Sequence, residues 1–334
     1  MIKFFLVLLS SLAFTFLLSV PFINFLYRLN FRRRWEGKKL LISSFFREHH
    51  GWKVGTPIGG GFLVIVAVVL FSAIFYQVTS FRVNWTTIIL YATLVSFGLL
   101  GLYDDFLKTF GFKKTRFWGL RFRHKLLIQL VLALGLAYLL FAKMSLGVVS
   151  LPLIGRIGLG MWYVPLAAMI IVFCANAFNI TDGLDGLASG LFLINLAAFW
   201  YLATFSPFEG DILVFISILL GSMLAFLYFN IYPARLWMGD TGALAFGAIL
   251  GVMALMTDST AALPLVAGVF FVEAFSSLAQ MIAKKYFGRK LFSIAPLHHH
   301  LENIGWPETK VVMRFWLFGA IFAFLGIAVA LFSK

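Results

Sequence analysis

The chain has little of what soluble and secreted proteins usually contain. Only 12% of its 334 residues are charged, and its single cysteine, Cys174, lies inside an apolar run. One cysteine excludes an intramolecular disulfide framework and leaves the redox compartment undetermined. Acidic residues are also scarce, since 13 Asp and Glu stand against 27 Lys and Arg, which gives a formal net charge of +14.

Apolar residues take the place of the missing charges. They make up 62% of the chain, and the mean hydropathy is +0.97, whereas soluble domains are roughly half apolar. Runs of about 20 apolar residues recur, which is the length that a helix needs to cross a bilayer. The runs do not alternate as barrel strands do. The sequence therefore predicts an all-α polytopic membrane protein, and the positive charge gives no reason to expect nucleic-acid binding.

We predict ten spans in a single integral membrane domain that covers residues 1–334. The first run is too long for a signal-peptide core and lacks a clear cleavage site. The ninth span contains Pro264 in its first turns and Glu273 near its middle. This acid should face protein, in a functional or a structural role that the pattern leaves open. The predicted spans are 4–27, 58–77, 85–103, 126–142, 162–178, 187–205, 212–232, 241–256, 260–282 and 312–332.

Basic residues divide the loops into two sets. One set, with the adjoining span ends, contains 22 of the 27 Lys and Arg. This asymmetry predicts that the basic loops and the polar motifs in them face the cytoplasm, and that both termini lie outside. On the opposite side, the weak alternation over 144–160 indicates a small β-hairpin. The basic set comprises the loops 28–57, 104–125, 179–186, 233–240 and 283–311.

The densest polar stretch separates two predicted spans and reads N-A-F-N-I-T-D-G-L-D-G over 176–186. Carboxylates are costly in hydrocarbon, so Asp182 and Asp185 should lie at the mouth of the membrane, beside a cation, a phosphate or a sugar hydroxyl. Because they are three residues apart, we expect them to share a face on the first turn of the next helix. Gly183 and Gly186 allow close backbone approach or a positive φ.

Two further motifs fall on the same side. Asp104, Asp105 and Lys108 follow the third predicted span, and paired acids with a lysine can hold magnesium against a phosphate. The basic run Lys113–Lys125 behind them is interpreted as topogenic. Glycines 59–61 could cradle a phosphate at a helix N-terminus, although close helix packing through small residues is the favoured interpretation.

An aromatic residue and three histidines complete the polar set. Trp237 precedes Asp240 by three residues and is either an interfacial belt residue or a platform for nucleobase stacking. His298, His299 and His300 are consecutive, so their side chains point in different directions and suit phosphate contacts or proton transfer better than zinc. Acids, lysines and histidines at one face fit magnesium-assisted phosphoryl transfer from a soluble anionic donor to a lipid-borne acceptor.

In this order and spacing the motifs resemble one family, the phospho-N-acetylmuramoyl-pentapeptide-transferases. The resemblance rests on K-V-G-T-P, D-D-F-L-K, N-A-F-N-I-T-D-G-L-D-G-L-A, N-I-Y-P-A, M-G-D-T-G and A-P-L-H-H-H-L-E, followed by G-W-P-E-T-K-V-V-M-R-F-W. It implies ten transmembrane helices, a cytoplasmic active site in the bacterial inner membrane and a need for Mg²⁺. The implied reaction joins UDP-MurNAc-pentapeptide and undecaprenyl phosphate to give lipid I and UMP, with direct attack favoured over a covalent intermediate. Whether the protein is a homodimer stays open.

The resemblance also assigns roles to residues. It implies that Asp240 binds the metal and that Asp104 is the base toward the lipid phosphate. The chain departs from the family pattern at Ile58, Trp237 and Ala243, where Thr, Phe and Ser are usual, and these changes affect fine substrate contacts. The other implied catalytic residues are Asp105, Asp182 and His298. The implied substrate-binding residues are Lys53, Lys108, Asn179, Asp185, Asn230, Trp237, Gln280, His299 and His300.

Three alternatives compete with this interpretation. A sibling enzyme would transfer N-acetylglucosamine-1-phosphate to a polyprenyl phosphate, but the histidine motif argues against it. A secondary transporter would place its important charges near the membrane midplane, whereas only Glu273 lies deep in a predicted span. An inactive scaffold is disfavoured because all the acidic motifs are intact.

Overall fold

A computed structural model describes residues 2–29, 31, 55–110, 120–152 and 154–332. Within these ranges the chain is mostly helical, and eight helices are long and apolar enough to cross a membrane. The prediction of an all-α polytopic membrane protein is confirmed, while the number of crossings stays a prediction. The helices are α1 Ile2–Arg28, α2 Gly60–Val78, α3 Trp85–Phe110, α4 Phe122–Met144, α5 Tyr163–Thr181, α6 Leu187–Ala203, α7 Glu209–Asn230, α8 Gly239–Met256, α9 Leu263–Val266, α10 Gly268–Phe287, α11 Leu297–Asn303 and α12 Glu308–Phe332.

Each predicted span except 260–282 coincides with one of these helices. Helix α3 continues to Phe110, so Asp104, Asp105 and Lys108 lie on a helix and not in a loop. The predicted span 260–282 is divided, because the short α9 carries Pro264 in its first turn and α10 starts afterwards. A proline is tolerated in the first turn of a helix, where its missing N–H has no partner to lose.

A two-stranded antiparallel hairpin follows α4, as the weak alternation predicts. Strand β1 (Val148–Leu151) pairs with β2 (Gly155–Gly158). The hairpin is tied to the turn after α8, since Ser150 Oγ donates to Asp258 Oδ2 at 2.6 Å and Ser150 N donates to Asp258 Oδ1 at 3.3 Å. These contacts place the hairpin at the C-terminal end of α8.

Helix α8 is the centre of the bundle. Each of its residues from Thr241 to Met256 is buried, and it packs mainly against α3 and α5. Two glycines pack closely against its first turn. A Cβ on Gly61 of α2 would meet the backbone of Gly242, and a Cβ on Gly101 of α3 would meet the backbone of Asp240. These contacts support close packing as the role of the glycines that open α2, and they bring α2 and α3 to the start of α8.

The outer helices present apolar side chains to their surroundings. Helices α1, α4 and α12 are mostly exposed over their apolar windows, whereas α7 and α8 are mostly buried. A wall of exposed large apolar residues is stable against lipid, so the chain is a multi-pass membrane protein. On α12 these residues are Met313, Leu317, Phe318, Ile321, Phe324, Leu325, Leu331 and Phe332.

Helix direction gathers the polar motifs at one end of the bundle. Asp104, Asp182 and Asn230 lie at or next to the C-terminal ends of α3, α5 and α7, and Asp240 lies at the start of α8. We call this end, which is opposite the hairpin, the polar end. Antiparallel neighbours bring these sequence-distant positions together.

Candidate active site

Four charged side chains from three helices meet at the polar end, and we call them the ion cluster. They are Asp104 and Lys108 of α3, Lys125 of α4 and Asp240 of α8. Lys108 Nζ lies 3.1 Å from Asp104 Oδ2 and 2.9 Å from Asp240 Oδ2. Lys125 Nζ lies 3.1 Å from Asp104 Oδ2 and also pairs with Asp240 Oδ2. Each carboxylate therefore offers one oxygen to both ammonium groups.

Lys125 corrects the sequence interpretation of the basic run as topogenic. Its side chain is 13% exposed and bonds to two acids, whereas Arg123 in the same run is exposed. A signal for this role exists in the sequence. Gln129 lies one turn further along α4 and is completely buried, so Lys125 and Gln129 form a polar pair on one face of a mostly apolar helix.

Asp105 does not join the ion cluster, although it is the neighbour of Asp104. Its Oδ1 accepts from Asp240 N at 3.0 Å, and its Oδ2 accepts from Thr241 N at 2.9 Å and from Thr241 Oγ1 at 2.6 Å. The first N–H groups of a helix have no partner within the helix, and an anion there is favourable. Asp105 thus caps α8 and fixes the backbone of Asp240, and its catalytic assignment stays a prediction.

Asp182 and Asp185 lie in the turn 182–186 between α5 and α6. The prediction that they share a face on the first turn of a helix is wrong, because α6 begins only at Leu187. The backbone of Gly186 has a φ of 78°, a value that glycine adopts without strain. This conformation separates the turn from the helix that follows it.

The turn is held by a group of buried and half-buried residues that we call the turn anchor: Asp185, Asn230, Trp237, Glu308 and Trp316. Asp185 N donates to Glu308 Oε1 at 2.7 Å, and Asp185 Oδ1 accepts from Trp237 Nε1 at 3.1 Å. Asn230 Oδ1 accepts from the backbone N of residue 186 at 3.2 Å, and Trp316 Nε1 donates to the carbonyl of the same residue at 3.2 Å. The anchor joins α6, α7 and α12.

Glu308 and Trp316 are missed by the residue-by-residue assignment. Both belong to the stretch G-W-P-E-T-K-V-V-M-R-F-W, which supports the family resemblance without giving these two residues a role. Their spacing of eight residues puts them on one face of α12, and that spacing is the signal that could identify them.

Trp237 also connects the anchor to the start of α2. Its N donates to the carbonyl of Pro57 at 2.9 Å, and its carbonyl accepts from Gly59 N at 3.1 Å and from Gly60 N at 2.8 Å. The side chain is half-buried and bonded to Asp185, which argues against an interfacial belt residue. Stacking on a base stays a prediction. Lys53, just before this stretch, lies outside the described residues.

The three histidines of α11 have three different partners, as their succession along the chain predicts. His298 Nδ1 lies 2.8 Å from Glu273 Oε2, His299 Nδ1 lies 2.9 Å from Glu302 Oε2, and His300 Nδ1 lies 2.8 Å from the Oγ of residue 293. His298 approaches the turn 182–186, where its ring lies against Gly183. The rings of His298 and His299 are adjacent, with their centroids 4.1 Å apart.

Two other predicted substrate-binding residues, Gln280 and Asn179, lie on different helices. Gln280 holds the loop after α10, because its Oε1 accepts from Leu291 N at 2.9 Å and from Phe292 N at 3.0 Å, and its Nε2 donates to Phe292 O at 2.8 Å. Asn179 is half-buried in the last turn of α5, near the turn 182–186. Contacts of either residue with a nucleoside stay predictions.

The ion cluster has the donor set that Mg²⁺ uses with a phosphorylated substrate. Over the described ranges, no three His, Cys, Asp or Glu side chains are arranged to hold a metal ion by themselves. Mg²⁺ usually binds one or two carboxylates, keeps several waters and takes the remaining ligands from substrate phosphates. Asp104 and Asp240 supply two carboxylates that converge on the same point, so the residues present fit such an ion.

Comparison with known proteins gives the class first. Residues 86–258, just over half of the chain, match the family model described as Glycosyl transferase family 4. The match contains Asp104, Asp105, Lys125 and Asp240, and the sugar-transferring class agrees with a site rich in acids and lysines at a membrane face. The fold and the site thus define a phosphoglycosyl transferase that spans the membrane.

Individual relatives identify the family within this class of transferases. The chain is 37% identical over 295 residues to the phospho-N-acetylmuramoyl-pentapeptide-transferase of Chloroflexus aurantiacus, covering 85% of this chain and 79% of the relative. It is 36% identical over 316 residues to that of Oceanobacillus iheyensis, covering 94% and 93%. It is 37% identical over 346 residues to that of Thermodesulfovibrio yellowstonii, covering 96% and 91%. The chain belongs to the phospho-N-acetylmuramoyl-pentapeptide-transferase family.

Proposed function

We propose that the protein transfers phospho-N-acetylmuramoyl-pentapeptide from UDP-MurNAc-pentapeptide to undecaprenyl phosphate, which forms lipid I and releases UMP. The names of the relatives support the substrates and the reaction. The observation that carries the chemistry is the ion cluster, in which two carboxylates and two ammonium groups from three helices converge at one end of the bundle. Such a site suits a diphosphate donor better than a neutral substrate.

The lysines are the groups that bind the donor. Lys108 and Lys125 form ion pairs with Asp104 and Asp240. A diphosphate entering the cluster would take over these ammonium groups, since Lys108 is 41% exposed and sits on a flexible stem. An oxygen of the lipid phosphate then attacks the sugar-linked phosphorus, and the bond from that phosphorus to the bridging oxygen breaks. UMP leaves with the electron pair.

The acids have separate roles in this proposal. Asp104 takes the proton from a singly protonated lipid phosphate and so raises the nucleophilicity of its oxygen. Asp240 would hold Mg²⁺, with Asp104 as the second carboxylate within reach, and the ion would neutralise charge on the transferring phosphate. Asp105 keeps Asp240 in place by capping α8.

The test is product formation by the purified protein in detergent or lipid. UMP release should require UDP-MurNAc-pentapeptide, undecaprenyl phosphate and Mg²⁺ together, and the lipid product should gain the phospho-sugar. Asp240→Asn is the matched control, because it keeps the shape of the side chain and removes its charge. Efficient transfer from UDP-N-acetylglucosamine instead would favour the sibling enzyme. Substrate that crosses vesicles chemically unchanged, without UMP release, would favour a transporter.

We further propose that the polar end faces the cytoplasm of a bacterial inner membrane, with both termini outside. The excess of Lys and Arg in the loops of that end supports this orientation. In a Cys174→Ser background, Lys290→Cys should resist an impermeant thiol reagent on intact cells, and Ile154→Cys should react. Ile154 is 71% exposed in the hairpin at the opposite end. The reverse labelling pattern would overturn the orientation.

A further inference from the structure

A buried carboxylate on α10 is hydrogen-bonded twice to the first of the three histidines. Glu273 and His298 are both completely buried. Glu273 Oε1 accepts from the backbone N of His298 at 3.1 Å, and Glu273 Oε2 lies 2.8 Å from His298 Nδ1. One carboxylate therefore fixes the backbone and the ring of the same residue, which leaves the imidazole little freedom to rotate.

The other ring nitrogen has no partner. His298 Nε2 is one of four buried side-chain polar atoms without a hydrogen bond in the part of the chain that the structure describes. It is also the nearest atom to a Cβ built on Gly183, so the ring fits only because residue 183 has no side chain. The unpartnered nitrogen is thus directed at the turn that carries Asp182 and Asp185.

These contacts determine which nitrogen carries the proton. An ionised carboxylate only accepts hydrogen bonds, so the nitrogen that faces Glu273 must be the donor. His298 then has its proton on Nδ1 and a free electron pair on Nε2. A buried polar atom without a partner has a cost, and this cost is explained if a substrate group binds it.

We infer that Glu273 is a positioning residue that holds His298 as the Nδ1–H tautomer, with Nε2 presented to the turn 182–186 as a proton acceptor. This inference rests on the proposed function only for the identity of the proton donor, which would be a hydroxyl or phosphate group of a substrate. The tautomer itself is a property of the protein alone. It can therefore be tested whether or not the proposed reaction is correct.

A purely structural role for Glu273 must be distinguished from this one. Glu273 and Ser276 both cap the start of α11, because Ser276 Oγ accepts from Leu297 N at 3.1 Å. Ser276→Ala is therefore the matched control, since it removes one cap of the same helix without touching the imidazole. Glu273→Gln is the test variant. The backbone N–H of His298 requires the amide oxygen on its side, so the amide NH₂ faces Nδ1 and favours the opposite tautomer.

The first readout is the ¹⁵N NMR spectrum of protein labelled in its histidines and held in lipid, with His298→Gln identifying the signals of residue 298. Wild type and Ser276→Ala should show the Nδ1–H tautomer, and Glu273→Gln should show Nε2–H. A wild-type spectrum with the proton on Nε2, or a Glu273→Gln spectrum identical to wild type, would overturn the inference. Thermal unfolding verifies that each variant is folded.

The second readout is turnover in a double-mutant cycle. Loss of a positioned proton acceptor typically costs about 100-fold or more, so Glu273→Gln should lower kcat by about that factor with little change in KM. In the His298→Gln background the same substitution should have little further effect. An equal loss in both backgrounds would mean that Glu273 acts only by holding α11, and the inference would fail. If wild type makes no lipid product, the proposed function fails and the NMR result still stands.

Discussion

The ion cluster and the turn anchor lie at the same end of the bundle, yet their acids have different kinds of partner. Asp104 and Asp240 share two lysine ammonium groups, and one of these, on Lys108, is 41% exposed. Asp185 bonds to a backbone N–H and to an indole, and its own N–H bonds to Glu308. Lysine side chains can exchange partners when substrate arrives, whereas backbone groups of packed elements cannot.

This difference teaches that the number of acids at a site says little about how many of them react. Asp105 is adjacent to Asp104, but it resembles Asp185 of the anchor in its contacts. It accepts three hydrogen bonds, all from residues 240 and 241. What holds a carboxylate is thus more informative than its position in a motif. We expect substitutions in the ion cluster to lower turnover and substitutions in the anchor to lower stability.

The largest effect should come from Asp240→Asn. The amide keeps the shape of the side chain but removes the charge that offsets a cation, and losing such a group at a partly desolvated site costs on the order of 3 kcal/mol or more. The rate constant for UMP release at saturating substrates should fall at least about 100-fold. The midpoint of thermal unfolding should change much less than turnover, because Asp104 still pairs with both lysines.

Two results would contradict the assignment of Asp240 to turnover and not to stability. Near-normal turnover of Asp240→Asn would mean that the metal binds among Asp104, Asp105 and Asp182 instead. A large fall in the unfolding temperature would show that Asp240 belongs to the scaffold. Excess Mg²⁺ should restore little of the lost activity, since the variant lacks the ligand charge itself.

Lys125→Met should have the next largest effect. Hydrogen bonds to charged groups are worth about 1.5–3 kcal/mol, so loss of the ammonium group should lower kcat/KM for the UDP donor about 10- to 100-fold. Arg123→Met is the matched control, because Arg123 is a basic residue of the same run but is exposed. Equal effects of the two substitutions would mean that net positive charge matters more than the geometry of the cluster.

Glu308→Ala tests the anchor through stability. The substitution leaves the buried N–H of Asp185 without its acceptor, and an unsatisfied buried donor costs about 1–3 kcal/mol. The free energy of unfolding in denaturant should fall by that amount. Glu308→Gln keeps an acceptor oxygen and should lose less. If both variants are as stable as wild type but inactive, Glu308 acts on substrate, and the anchor would have a second role.

Much of this fold is predictable from composition. Spans of apolar residues must be helices in lipid because backbone groups need internal partners, and antiparallel order then puts the motifs of alternate loops at one end. The hairpin over 144–160 and the three directions of the histidines follow from equally local patterns. These features do not depend on which helix packs against which.

The partners of individual side chains are not predictable in this way. Asp104 and Asp105 are about 100° apart around a helix, and only the position of α8 determines which of them enters the ion cluster. The same holds for Lys125, whose basic neighbours suggest a topogenic run, and for Gln280, whose amide holds a loop. Asp182 and Asp185 were expected on a helix because their spacing fits one, but the glycines between and after them shape a turn.

Trp237 is part of the turn anchor and is also predicted to bind the donor. Its substitutions should have the smallest effects. Its indole N–H bonds to Asp185 in the anchor, while its ring is predicted to stack on the uracil of the donor. Phenylalanine keeps a ring but loses the N–H, and alanine loses both. Base–aromatic stacking is worth about 1–3 kcal/mol on alanine substitution, so Trp237→Ala should raise the KM for the UDP donor about 5- to 100-fold.

Trp237→Phe should separate the two roles of this residue. If stacking is what the donor needs, KM should stay within about threefold of wild type, and the lost hydrogen bond should appear as a decrease of about 1 kcal/mol in the free energy of unfolding. Because a base bound equally in the ground and transition states changes KM and not kcat, turnover at saturation should stay unchanged. A rise in KM as large as that of alanine would mean that the indole acts by holding the turn 182–186, since the ring alone would then contribute nothing to donor binding. A change confined to the undecaprenyl phosphate titration would instead place Trp237 on the lipid side of the site, and the nucleoside assignment would be wrong.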